Sequence, residues 1–158
     1  MDGELSRYPQ DEFDRLWSAG EGSTVSTQEF ISTNNTQDFP PSVVMQTAFV
    51  SSIPSINFVL TGAEGTKSLL LLYFAEVEPL NITETRSFSV YINNQSRSEA
   101  VTLVRNYSAI ELEFSSTPGD LNVSIVRTTN STLDPIVNSL EFYGMIDTEP
   151  PTYFEDGR

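Results

Sequence analysis

The chain has 158 residues, room for a single domain that buries about 70% of the surface its unfolded form would expose. Its 22 acidic and 8 basic residues give a formal net charge of −14, which disfavours nucleic acid and anionic membrane surfaces as partners. It contains no histidine and no cysteine, which excludes the usual zinc and iron ligand sets, Ser-His-Asp triads, thiol nucleophiles and disulfides.

Residues 1–22 contain YPQDEFDRLW and fit neither helix nor strand periodicity. They are expected to form an irregular arm that packs Tyr8, Phe13, Leu16 and Trp17 onto a domain spanning residues 23–146. A short strand is expected within 23–31, and then Pro40-Pro41 ends any regular element. Strands are expected over 43–49 and Ser55–Leu60, the latter with Ile56, Phe58 and Leu60 on one face.

The centre of the chain is a pair of strands. Residues 69–74 form an apolar run too short for a membrane helix and about right for a buried strand. Over residues 86–92, Phe88, Val90 and Ile92 alternate with Ser87, Ser89 and Tyr91, the pattern of a strand with one wet face. Further strands are expected over 100–104, 109–114, 121–127 and 138–143, with Pro118-Gly119-Asp120 as a turn. Residues 147–158, acidic and containing Pro150-Pro151, read as a linker. About eight short strands and no amphipathic helix imply an all-β fold, an antiparallel, jelly-roll-like β-sandwich.

Residues 69–74 are apolar on both faces, whereas an outer sandwich face should carry polar residues. Either the arm with Trp17 or a neighbouring domain must cover one of them. Leu70, Leu72 and Phe74 are assigned to the face available for domain docking.

No catalytic pattern is present, and no metal or cofactor is expected. Trp17, the only tryptophan, is a candidate sugar-stacking platform beside Asp14 and Arg15, or else a cap on the sheet. Tyr107 is a second candidate ligand-binding aromatic, although a glycan on Asn106 would obstruct it. Glu76 and Glu78 share a strand face about 7 Å apart, a spacing compatible with glycoside hydrolysis if one is buried. They could equally be solvated acids, or Glu76 could pair with Arg86. Asp11, Glu12 and Asp14 could offer carboxylates to calcium, but no EF-hand spacing is present.

Compartment information comes from six N-x-Ser/Thr sequons at Asn34, Asn81, Asn94, Asn106, Asn122 and Asn130. Chance would give about two in such a composition, so passage through a secretory pathway is expected. No signal peptide or membrane span is visible, so any signal peptide is expected to lie upstream of Met1 or to have been lost.

Five strings in order, YPQDEFDRLW, FPPSVVMQTA, LLYFAEVEPL, RSFSVYINN and NSLEFYGMID, resemble the malectin-like domains of plant receptor-like kinases with leucine-rich repeats. Their spacing is similar to the second domain of the tandem pair in that family, over roughly residues 5–150. The resemblance implies a non-enzymatic, cell-surface ectodomain module that binds a cell-wall carbohydrate or a secreted peptide. The alternative is a structural domain that docks a tandem malectin domain or a co-receptor and takes no small ligand. It also implies a membrane-anchored parent protein, of which this chain would be a fragment or a truncated product. The family often has tryptophan before Ile-Ser-Thr, where this chain has Phe30. No string carries over the sugar-contacting residues of animal malectin.

Overall fold

The computed structural model describes residues 5–147. An N-terminal hairpin, β1 (Leu5–Arg7) and β2 (Leu16–Ser18), precedes β3 (Thr24–Ser26), a single-turn helix α1 (Ser42–Met45) and β4 (Thr47–Val50). Then come β5 (Ser55–Leu60), β6 (Ser68–Phe74), β7 (Arg86–Ile92), β8 (Gln95–Ser96) and β9 (Val101–Leu103). The chain continues through β10 (Ile110–Ser116), β11 (Leu121–Arg127), β12 (Ile136–Val137) and β13 (Ser139–Gly144).

The architecture is an antiparallel β-sandwich. One sheet runs β5-β11-β7-β8, with β9 also on β7; the facing sheet runs β10-β6-β13, and β12-β4-β3 forms a smaller third sheet. Alternation decides what lies between the layers. Phe88, Val90 and Ile92 of β7 and Val123 and Ile125 of β11 meet Leu70, Leu72 and Phe74 of β6, with the Phe74 and Phe88 rings 4.8 Å apart. Leu70, Leu72 and Phe74 are therefore not a docking face. Each is 0% exposed, because the β10 and β13 registers align them with Ile110, Leu112, Phe114, Leu140 and Phe142 on the inner side.

The opposite face of β6 is covered from within the chain. Leu71, Tyr73 and Ala75 pack against Ile31, Met45 and Ala109 in a second apolar cluster. The covering segment is tied down by Ser32 N–H donating to Tyr107 O (2.6 Å) and Ala109 N–H donating to Ser32 O (2.8 Å). Trp17 is not among the apolar residues of this cover.

Two local expectations change. The strand expected at 43–49 starts only at Thr47, because Pro41 holds φ at −57° and its carbonyl accepts the N–H groups of Val44 and Met45. Proline preset for a first helical turn, together with burial of Met45, overrides the strand preference of Val43 and Val44. The arm is also regular, pairing Leu5 with Ser18 and Arg7 with Leu16. Apart from Asp147, the linker expected at 147–158 lies outside the described residues.

Candidate recognition site

The sandwich is open along one side, where β5 ends one sheet and β13 ends the other. A cleft of about 870 Å³ follows β5 there, bordered by Ile56 to Leu60 and faced by Tyr8, Trp17, Phe49 and Leu140. Phe58, Leu60 and Leu140 are partly buried apolar residues at the margin of the core, so the cleft has an apolar floor. Its size is that of an ordinary ligand site.

The two aromatic candidates are not brought together. Trp17 lines the cleft, but its Nε1–H donates to Asp11 Oδ2 at 2.7 Å and the Arg15 guanidinium lies 5.0 Å from its ring centre. Tyr107 is not on the cleft. Its φ is +54°, it packs against the second cluster, and the Arg105 guanidinium stands 5.3 Å from its ring. Each ring thus already has a cation against it.

A polar cluster beside the arm is absent from the sequence reading. Glu141, buried on β13, accepts Arg15 Nη1–H at both carboxylate oxygens (3.0 and 2.9 Å), Tyr73 O–H at 2.5 Å and Tyr143 O–H. Arg15 Nε also donates to both oxygens of Asp11 at 3.1 Å, and its Nη2 donates to Phe39 O at 3.1 Å. One guanidinium therefore clamps the arm to β13. Burial raises the Asp11 carboxyl, but hydrogen bonds from Arg15, Trp17 and the Phe13 N–H outweigh it and leave the group below its ordinary value. Burial, and then the bond to Glu141, pushes the Tyr143 hydroxyl up to about 12. The same two causes push Tyr73 higher still.

Glu76 and Glu78 form no hydrolytic pair. Arg86 donates from Nε to Glu76 Oε2 (2.8 Å), from Nη2 to Glu78 Oε2 (2.6 Å), and from Nη1 to Asp134 O. Both acids are engaged by one cation, which makes the arrangement a lock on the connection between β6 and β7. Asp11 is held by Arg15, and Asp14 pairs with Arg7 at 3.3 Å. Among the described residues no group of three or more acidic side chains is placed to hold a metal.

Residues 1–145 match the family model of the malectin-like domain. The chain belongs to the malectin-like family. The domain is 33% identical over 150 residues to LRR receptor-like serine/threonine-protein kinase IOS1 of Arabidopsis thaliana, a match covering 88% of this chain and 17% of that protein. Another receptor-like kinase of the same plant is 35% identical over 155 residues, again covering 17% of its own length. The chain thus spans about a sixth of these curated relatives. Among solved structures, the ANXUR1 extracellular domain from Arabidopsis thaliana superposes with a TM-score of 0.74 at 18% identity, covering 91% of this chain and 46% of that one. The plant peptide RALF23 complex with FER and LLG2 gives 0.73 at 20% identity, covering 92% and 47%. These likenesses place the malectin-like fold among receptor-kinase ectodomains.

All six sequon asparagines of the malectin-like domain are exposed, and the segments carrying them meet in three pairs. Asn35 Nδ2 donates to Ser108 Oγ (3.0 Å), joining the Asn34 and Asn106 loops. Thr132 N–H donates to Thr85 O (2.8 Å), joining the loops of Asn130 and Asn81. Asn93 N–H donates to Asn122 O (2.8 Å), setting Asn94 near Asn122. No sequon asparagine lines the cleft.

Proposed function

We propose that this malectin-like domain is a non-catalytic recognition module on the extracellular face of the plasma membrane, within a membrane-anchored receptor kinase, and that it binds a secreted polypeptide in the cleft along β5. The observation carrying this reading is an apolar cleft beside an open strand edge, with no sequon asparagine in its lining. A cell-wall carbohydrate is less well served. Sugar stacking needs a free aromatic face in the site; the Arg15 guanidinium already takes one face of Trp17, and Tyr107 does not line the cleft. A solved neighbour, FER, was crystallised with the peptide RALF23 and with LLG2, in keeping with a polypeptide partner.

The six sequons are read as N-glycosylation sites, consistent with their exposure. The test is biolayer interferometry of the secreted, glycosylated chain against a panel of synthetic secreted plant peptides and a cell-wall oligosaccharide array. Peptide binding that Asn57→Arg abolishes supports the reading; oligosaccharide binding that Trp17→Ala abolishes refutes it.

The second reading, docking of a tandem malectin domain or a co-receptor, is favoured by the exposed Leu5 (63%) and Leu16 (54%) of the β1-β2 hairpin. Binding confined to a longer ectodomain containing the adjoining domain would select it.

A further inference from the structure

Three strands of six or seven residues end a sheet: β5, β10 and β13. β10 carries Glu111 and Glu113 and β13 carries Glu141, whereas β5, SINFVL, has neither charge nor proline. Edge strands are normally blunted by charge, proline or a bulge, because their unpaired backbone groups template a further strand. β5 lacks the first two of these defences.

The register identifies the groups on offer. Arg127 N–H donates to Pro54 O at 2.9 Å, and β5 pairs Ile56 with Ile125, Phe58 with Val123 and Leu60 with Leu121. Hydrogen-bonded pairs alternate along an antiparallel ladder. The even-numbered residues therefore bond to β11, while the N–H and C=O of Asn57 and Val59 point to the open edge. Among the described residues, no backbone hydrogen bond from outside the sheet reaches them. Five consecutive residues, 56–60, line the cleft, so the edge of the strand borders it and not one face alone. The nearest sequon, Asn122, is paired with Val59. A glycan there stands on the outer face of the sheet and leaves the in-plane edge open.

The chemistry of the occupant follows from charge. The chain carries −14, and among the described residues the single charged one lining the cleft is Glu21. We infer that β5 accepts an extended cationic segment of a separate polypeptide, paired through the main-chain groups of Asn57 and Val59, with its alternate side chains in the cleft. This deepens the polypeptide reading of the same cleft and rests on it.

The test uses the full glycosylated chain and a synthetic peptide of alternating lysine and valine, about eight residues long so that it overspans β5. Its control is the same peptide N-methylated on alternate amides. The expected result is binding of the unmethylated peptide alone, with slowed hydrogen exchange at the Asn57 and Val59 amides. Asn57→Pro deletes an outward N–H that the protein's own ladder does not use, so it should leave the unfolding midpoint near wild type and weaken binding about tenfold. Asn57→Ala, which keeps the N–H, should bind more tightly than Asn57→Pro; equal weakening by both would overturn a main-chain role for residue 57.

Equal binding of both peptides, or binding without protection at 57 and 59, overturns strand addition while leaving polypeptide recognition standing. Binding of neither peptide overturns the inference, and an oligosaccharide hit from the array then overturns the underlying reading too. Protection of the same amides by self-association, seen as a dimer in sedimentation, overturns it in favour of a second copy.

Discussion

Arg86 Nε stands 2.8 Å from Glu76 Oε2, and both residues are sealed, at 3% and 2% exposure. The pair closes the connection between β6 and β7, two strands that face each other across the core. Breaking a buried pair leaves one charge stranded at low dielectric. Arg86→Met should therefore lower stability by about 3–5 kcal/mol. Arg86→Met with Glu76→Leu should recover part of that loss. Urea unfolding of both variants checks the order; an unchanged midpoint for the single variant would remove the lock.

The arm depends on Arg15. Arg15→Ala releases the Glu141 and Asp11 carboxylates from their shared cation and should cost about 1–3 kcal/mol. Trp17 is the only tryptophan, so its emission reports the arm alone. A red shift at denaturant concentrations below the global transition is expected.

Acid should act on the same clamp. Asp11 has a folded-state value below its ordinary 3.8, so its stabilisation is present above pH 3.8 and is lost as pH falls through the folded value. Glu111 is opposite: burial first, and also the neighbouring Asp38, raise it above 4.5 despite the N–H bonds from Gln37 and Asp38. Its contribution is full below pH 4.5 and declines as pH rises through the folded value. Trp17 emission should thus report arm release only below pH 3.8, and Asp11→Asn should remove that step. Glu111→Gln should flatten the stability profile immediately above pH 4.5.

Gly62 is a steric requirement of the turn after β5. A Cβ there would lie 2.3 Å from Gly119 O, a backbone atom that cannot swing away. Gly62→Ala should cost about 1–3 kcal/mol, read as a lower melting temperature. An unaltered melt would mean that the two turns separate freely.

The sequence was most legible where alternation was strict. The strands at Ser55–Leu60, Arg86–Ile92 and Leu121–Arg127 have the bounds their patterns imply. It was least legible where pairing between distant segments decides the outcome. The two apolar faces of β6 can be told apart by parity, but only the registers of β10 and β13 say which one is inside. The burial of Glu141 has no local signal in the sequence, because its partner Arg15 lies 126 positions away. Two valines after a proline pair read as strand, and burial of Met45 makes them a helical turn. The pairing of Glu76 with Arg86 was one of the alternatives because the two flank a short connection.

Site-directed photo-crosslinking tests the cleft most directly. A benzophenone side chain at Val59, 60% exposed on β5, is compared with one at Tyr107, which does not line the cleft, in the presence of a peptide that binds the secreted chain. The account predicts covalent capture from position 59 and none from 107. Capture from 107 alone would contradict it.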